Sequence, residues 1–280
     1  MRLDTLPPMS QPPDQPYRLP RDRYLDLLAS DSDRFADLLA EADPARRVPS
    51  CPDWSAVDLF WHLTEVQWFW GTIVRDRLSD PAVAEERKPA RPSDLDALGH
   101  LFATVSEELR DALANSPDET PVWTWADDQT AGFVLRRQAH EALIHRVDAE
   151  LVSGDSTALD PELATDGVDE VVRVMYGGTP SWATFTATAG RVAVRALDTD
   201  GAWNLAVGTI SGTDPDSGHR YENEPAVDVV EGARPVAEVS ADAGTLDAWF
   251  WGRAGADAVT HTGDRTAIDA LEAVLRTGIQ

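Results

Sequence analysis

The sequence contains one cysteine, Cys51, and one lysine, Lys88. A lone cysteine excludes an internal disulfide and any metal site made of cysteines alone, and it suits a reducing compartment. Cys51 lies in a loop-like segment, VPSCPDW, with no evident general base beside it. This setting argues against a catalytic nucleophile supplied by the protein, because a thiol needs an activating neighbour.

The sequence is also poor in positive charge. It has 24 Lys and Arg against 49 Asp and Glu, a formal net charge of −25. Such a surface repels phosphate backbones and anionic lipids, so neither nucleic acid nor a membrane is an expected partner. No run approaches the roughly 18 apolar residues of a membrane span. Residues 1–20 contain six prolines and no apolar signal segment, and they predict an extended arm or a disordered tail. Without a signal segment or a membrane span, the expected protein is soluble and cytoplasmic.

The first half of the chain has the periodicity of helices. Apolar residues recur at helical spacing in four stretches, about 22–42, 55–78, 93–113 and 131–152. The second stretch opens with Ser55 and Asp58, which have the spacing of a capping box. Four amphipathic helices of this length predict a four-helix bundle over residues 21–152.

The second half has a different pattern. A polar stretch at 153–160 predicts a linker, and residues 161–280 predict a smaller α+β domain. Its predicted helices are 161–175, 244–251 and 265–275, and its predicted strands are 190–198, 201–210, 226–230, 237–239 and 258–262. The expected fold class of the whole chain is therefore α+β.

The segment RRQAHEALIH, residues 136–145, resembles the zinc-protease helix motif H-E-x-x-H. The motif fails because Ile144 stands where its second histidine belongs. At about 100° per residue, Glu141 and His145 share one face of the helix, whereas His140 lies about 140° away from His145. A glutamate on an inward face is rare unless it is paired or binds a cation. Residues four apart can bind one ion together, so Glu141 and His145 are candidate metal ligands.

The same helical angles assign the neighbouring polar residues. Arg136, Arg146 and Glu150 fall on the opposite face, which is predicted to be exposed to solvent. Asp148 and Gln138 extend the inward polar stripe and are candidates to orient the ligands.

A third ligand has to come from another helix. His62 lies beside the apolar stripe of the second helix and can face the bundle interior, whereas His100 is predicted to be solvated. His62, Glu141 and His145 would form the His₂Glu set of open catalytic zinc sites. A polar network without a metal is an equally open interpretation of this spacing. His219 and His261 are expected to be surface or structural residues.

Four stretches of the chain resemble the mycothiol-dependent maleylpyruvate isomerase family of actinobacteria. They are VPSCPDWSAVDLFWHL, VWTW, RRQAHEALIHRVDAEL and AWFWGRAGADAVTHTGD. The resemblance implies a DinB-like bundle followed by a domain similar to sterol-carrier-like folds. It also implies a divalent metal, usually zinc, on His62, Glu141 and His145. Arg253 of the WGR segment corresponds to a family arginine and is the predicted catalytic residue.

The resemblance further implies an activity that depends on mycothiol, a low-molecular-weight thiol. The metal-bound thiolate would attack an electrophilic carbon of a small substrate, in an S-transferase or a cis-trans isomerase. Arg253 is a candidate anchor for an acidic substrate, with Arg75 and Arg77 as weaker ones. Two other functions stay open: a zinc hydrolase that needs no thiol, and a non-catalytic regulatory protein that binds a metal or a ligand.

Overall fold

A computed structural model of the chain describes residues 16–215, 217–232 and 234–278. It confirms the α+β class. The helical half comprises α1 Arg21–Glu41, α2 Ala56–Asp76, α3 Ala82–Glu85, α4 Leu95–Ala114 and α5 Ala131–Ser153. The second half comprises α6 Pro161–Glu170, a π-helical turn Val171–Met175, β1 Ala183–Ala196, β2 Ala202–Thr213, β3 Arg220–Val229, β4 Ala237–Ala241, α7 Ala243–Phe250, a 3₁₀ turn Ala256–Ala258, β5 Thr260–Gly263 and α8 Arg265–Leu275.

The predicted proline-rich arm lies largely outside the described residues, which begin at residue 16. The end of the arm contacts the second half of the chain. The hydroxyl of Tyr17 accepts a hydrogen bond from the backbone N–H of Ala202 at 3.0 Å, and its ring lies 5.1 Å from that of Trp203. The segment before α1 therefore bridges the bundle and the sheet.

Local sequence signals explain where the two ligand-bearing helices begin. Helix α2 starts with the predicted capping box, in which the backbone N–H of Ser55 donates to Asp58 at 3.0 Å. Helix α5 is capped at its start by Thr130, whose hydroxyl accepts from the backbone N–H of Phe133 at 3.2 Å, and at its end by Gly154. Gly154 has a φ of 81°, a left-handed conformation that glycine adopts without a steric penalty.

Helix α5 is the central helix of the molecule, and 19 of its 23 residues are buried. The predicted solvent face of Arg136, Arg146 and Glu150 is wrong, because all three side chains are buried in polar contacts. Arg136 pairs with Asp166 of α6 at 2.8 Å, and Arg146 pairs with Asp31 of α1 at 3.2 Å. Glu150 accepts hydrogen bonds from the backbone N–H and the hydroxyl of Thr157.

The described residues of the second half form a five-stranded mixed sheet with strand order β3-β2-β1-β4-β5. Strands β1 and β4 are parallel, and the other neighbours are antiparallel. Side chains from β1, β2 and β4 pack with those of α6, α7 and α8 in one apolar core, which includes Val192, Val194, Leu205, Val239, Leu246 and Leu271. Among the helices of the described ranges, none combines the length and the apolarity needed to cross a bilayer.

Candidate metal centre

Helices α2 and α5 bring the three predicted ligands together. The Nε2 atom of His145 lies 3.2 Å from Oε1 of Glu141, and Nε2 of His62 lies 3.6 Å from the same oxygen. One ligand atom from each residue lies within 4.8 Å of the other two. The side chains of His62, Glu141 and His145 are 28%, 20% and 8% exposed. The cluster is therefore reachable from solvent on the His62 and Glu141 side.

The hydrogen bonds around His145 leave one ring nitrogen available as a ligand. Its Nδ1 atom lies 2.9 Å from Oδ2 of Asp148, a residue that is fully buried. When the imidazole is neutral, donation from Nδ1–H to this carboxylate leaves the lone pair of Nε2 directed at Glu141 and His62. A carboxylate bonded to the far nitrogen is the usual partner of a histidine that binds a metal. Asp148 therefore has the orienting position predicted for it.

The charges of the cluster favour a cation. Burial acts to raise the pKa of Glu141, but its hydrogen bond with His145 and the nearby imidazole of His62 hold that pKa well below its usual range. Burial acts to lower the pKa of His145, but its hydrogen bonds with Asp148 and Glu141 raise it to about 9. The side chains thus stabilise a positive charge at the point where their ligand atoms meet. A donor set of two imidazole nitrogens and one carboxylate fits a divalent metal of the zinc type.

Arg137 is a functional candidate that the sequence pattern did not predict. It lies one helical turn before Glu141, and its Nη2 atom donates to Oε2 of Glu141 at 3.0 Å. It also pairs with Glu170 of α6, and its Cζ atom lies 5.1 Å from the ring centroid of Trp251. The spacing of four residues between Arg137 and Glu141 was the available signal.

The predicted catalytic residue Arg253 lies beside the cluster and contacts it through Asp148. Its Nε atom donates to Oδ1 of Asp148 at 2.9 Å, and its Nη2 atom donates to Oδ2 at 2.7 Å. Its Nη1 atom donates to the carbonyl of Trp251 at 2.7 Å. Ser50 donates to Asp148 as well. Arg253 is thus held in a fixed orientation by groups of the protein itself.

Cys51 is a poor nucleophile, and Gln138 does not orient the ligands. The sulfur of Cys51 lies 3.8 Å from Nη2 of Arg253, and burial raises the pKa of its thiol, which makes it a poorer nucleophile. Gln138 was predicted to help orient the ligands. This prediction is wrong, because its buried amide atoms make no hydrogen bond within the described residues.

The other histidines and the two weaker arginine candidates are not part of the cluster. His140 contacts Asp166 at 2.8 Å in the buried interface with α6, in agreement with its exclusion from the ligand set. His100 and His219 are exposed, and His261 lies 3.7 Å from Glu272. Of the weaker anchor candidates, Arg75 pairs with Asp76 and Glu108 on the surface, and Arg77 forms the C-terminal cap of α2.

The aromatic ring of Trp54 lies beside the cluster. Its ring centroid lies 4.6 Å from that of His62 and 6.4 Å from that of His145. Trp54 belongs to the loop before α2, which a hydrogen bond from the backbone N–H of Val48 to the carbonyl of Trp54 closes at 3.0 Å. The loop thus places an apolar surface beside two of the candidate ligands.

Part of the chain matches the model of a known protein family. Residues 25–150 match a family model described as the mycothiol maleylpyruvate isomerase N-terminal domain. This range includes all three candidate ligands and Asp148. A comparison of the sequence with curated proteins found no match.

Two solved structures resemble the chain over most of its length. One is described as a crystal structure of the mycothiol-dependent maleylpyruvate isomerase. It is 17% identical, has a TM-score of 0.55, and the match covers 88% of this chain and 95% of that one. The other, a histidine-to-alanine mutant of an enzyme with the same description, is 16% identical with the same TM-score and coverage. At this level of identity the likeness shows the fold.

Proposed function

The helical half of this chain belongs to the family of mycothiol maleylpyruvate isomerase N-terminal domains, and from this premise we propose that the protein is a divalent-metal-dependent enzyme that uses mycothiol. The observation that carries the proposal is the convergence of His62, Glu141 and His145 on one point, with ligand atoms within 4.8 Å of one another. We expect zinc as the metal, because two histidines and one carboxylate with a further position for a small ligand are typical of catalytic zinc sites.

The three ligands and their neighbours have distinct roles in this proposal. When bound, a divalent cation lowers the pKa of a coordinated thiol, so that the thiol is held as a thiolate at neutral pH. His62, Glu141 and His145 hold the cation, and Asp148 orients His145. The protein's own thiol is a poor alternative, because burial raises the pKa of Cys51. An imported thiol is therefore the nucleophile.

The proposed reaction begins when the thiolate sulfur attacks an electrophilic carbon of a conjugated substrate. The new carbon–sulfur bond forms as the electron pair of the double bond moves toward the carbonyl oxygen. In an isomerase, rotation about the resulting single bond is followed by re-formation of the double bond and release of the thiolate. In a transferase, the carbon next to the carbonyl takes up a proton and the carbon–sulfur bond remains. The name of the related enzymes favours the isomerase, and maleylpyruvate is the first substrate to test.

The guanidinium of Arg253 is already engaged by other groups of the protein. Both contacts of its guanidinium with Asp148 are short, and its third nitrogen donates to a backbone carbonyl. We propose that Arg253 acts through Asp148 and that the substrate lies against Trp54, whose ring borders His62.

The proposal is tested by metal content and thiol-dependent turnover. We expect the purified protein to bind one divalent ion, and we expect His145→Ala and His62→Ala to lose it. His140→Gln is the matched control, because His140 lies on the same helix but contacts Asp166 instead of the ligands. Turnover of maleylpyruvate and of a panel of electrophiles is then compared with and without mycothiol.

The outcomes separate the competing functions. A wild-type protein that binds no divalent metal contradicts the proposal. Hydrolytic turnover without any thiol indicates the zinc hydrolase instead. Tight binding of a metal and a ligand without turnover of any electrophile indicates a regulatory protein.

A further inference from the structure

The two carboxylate oxygens of Glu141 have different surroundings. Oε1 faces the histidines, at 3.2 Å from Nε2 of His145 and 3.6 Å from Nε2 of His62. Oε2 accepts a hydrogen bond from Nη2 of Arg137 at 3.0 Å. Only one of the two oxygens is therefore directed at the point where the ligand atoms meet.

Arg137 is itself fixed by the second half of the chain. Its guanidinium pairs with Glu170 of α6, and its Cζ atom lies 5.1 Å from the ring centroid of Trp251, beyond α7. Its side chain is almost fully buried. Because an arginine fork can serve two carboxylates at once, the pairing with Glu170 sets the direction from which Arg137 reaches Glu141.

Such a contact limits how the carboxylate binds a cation. A carboxylate can bind through one oxygen or through both, and a free Glu141 could do either. Oε2 keeps a second lone pair, but turning it toward a metal between the histidines would break its hydrogen bond with Arg137, so Oε1 is the favoured ligand atom. A carboxylate bound through both oxygens would occupy an additional coordination position, which the incoming thiol needs.

We propose that Arg137 is a positioning residue that restricts Glu141 to binding through one oxygen and so keeps a coordination position free for the thiol. The inference rests on the proposed function, since it concerns the same metal. It assigns Glu170 and Trp251 of the second half a share in the geometry of a site whose ligands all lie in the first half.

The test uses cobalt, whose visible absorption reports the coordination number of the ion. The metal-free protein is loaded with Co²⁺, its spectrum is recorded, and mycothiol is added while the sulfur-to-cobalt band is followed. In Arg137→Met the second oxygen of Glu141 is released. We expect weaker visible bands, typical of a higher coordination number, and at least a tenfold higher mycothiol concentration for half-saturation.

Arg136→Met is the matched control. Arg136 is the adjacent residue, is buried to a similar degree, and pairs with Asp166 and Asp169 instead of with a ligand. We expect this variant to lose thermal stability as Arg137→Met does, while its cobalt spectrum and its mycothiol titration stay at wild-type values. The difference between the two variants separates positioning from general stabilisation.

Arg137→Lys keeps the test decisive if Arg137→Met does not fold. A single ammonium group cannot hold Glu141 and Glu170 in the geometry of a guanidinium fork, so we expect the same spectral change at a smaller size. Wild-type spectra and thiol titrations in the folded Arg137 variants would overturn the inference. A wild-type protein that does not bind Co²⁺ would instead overturn the proposed function.

Discussion

Arg253 and Asp148 form a two-contact ion pair between the second half of the chain and α5. The guanidinium Nε atom lies 2.9 Å from Oδ1 and Nη2 lies 2.7 Å from Oδ2, across 105 residues of sequence. Burial acts to raise the pKa of Asp148, but hydrogen bonds from His145 and Arg253 lower it to about 2. One buried carboxylate therefore connects a candidate metal ligand to the second half of the chain.

Replacing this carboxylate by an amide should weaken metal binding. Asp148→Asn preserves the shape of the side chain but removes the charge that orients His145 and neutralises Arg253. We expect the metal affinity to fall by about 10- to 100-fold, as for other partners of metal-binding histidines. We also expect a loss of stability of up to about 3–5 kcal/mol, because Arg253, whose side chain is only 11% exposed, loses its counter-charge. A chelator competition titration and a thermal melt measure the two effects.

Asp31→Asn provides the control for that variant. Asp31 is also buried against α5, where it pairs with Arg146 at 3.2 Å and contacts none of the ligands. We expect this change to leave the metal affinity at the wild-type value. Equal metal affinities in Asp148→Asn and the wild type would contradict the orienting role of Asp148.

Arg253→Lys distinguishes a positioning residue from a substrate anchor. A lysine keeps the charge but cannot make both contacts with Asp148. If Arg253 acts through Asp148, the metal affinity and kcat fall by about tenfold and KM changes little. A chelator competition titration measures the metal affinity, and steady-state kinetics at saturating metal measure kcat and KM. A rise in KM with unchanged metal affinity would show instead that Arg253 binds the substrate.

Metal binding should depend on pH through His145. Hydrogen bonds with Asp148 and Glu141 outweigh the effect of burial and raise the pKa of His145 to about 9 in the metal-free protein. Since only the neutral imidazole binds a metal, a bound ion has to displace that proton at any pH below about 9. We expect the metal affinity to fall about tenfold per pH unit between pH 9 and pH 7.

Calorimetric titration with Zn²⁺ in buffers of different ionisation enthalpy measures this proton directly. We expect about one proton released from the site at pH 7, beyond any proton released by water bound to the ion. His140→Gln should leave the value unchanged, because His140 does not contact the ligands. An affinity that stays constant between pH 7 and pH 9 would contradict the prediction.

The ligand set and its surroundings differ in how far the sequence predicts them. Glu141 and His145 follow from helical angles alone, and His62 follows from the stripe of α2. The solvent face assigned to Arg136 failed because α5 has neighbours on all sides, and a charge in a buried ion pair has the same pattern in a sequence as an exposed one. The partner, Asp166, lies 30 residues away on α6. No local pattern predicts that pairing.

The same limit explains why the role of Arg137 was not predicted. Its spacing from Glu141 was visible in the sequence, but spacing alone does not distinguish an exposed i, i+4 pair from a buried one. The contacts with Glu170 and Trp251 bury the side chain of Arg137, and both residues come from the second half of the chain.

Asp247 of α7 should make the stability of the protein fall as the pH rises. It is fully buried, and neither of its carboxylate oxygens has a hydrogen-bond partner among the described residues. Helix α6 passes so close that a Cβ atom at Gly167 would lie 2.8 Å from each oxygen. Burial raises the pKa of Asp247 from its ordinary value of 3.8 to about 7, although His140 acts to lower it.

The raised pKa means that the folded protein keeps a proton that the unfolded chain releases near pH 4. The contribution of this proton to stability is complete below pH 4, is lost between pH 4 and pH 7 by up to about 1.4 kcal/mol per pH unit, and is absent above pH 7.

Asp247→Asn removes this titration. We therefore expect the variant to match the wild type near pH 4 and to be the more stable protein at pH 8. Urea unfolding of the metal-free proteins at pH 4.5, 6 and 8 measures the difference. The exposed Asp257→Asn is the control, and parallel pH profiles for wild type and Asp247→Asn would show that Asp247 does not titrate in this window.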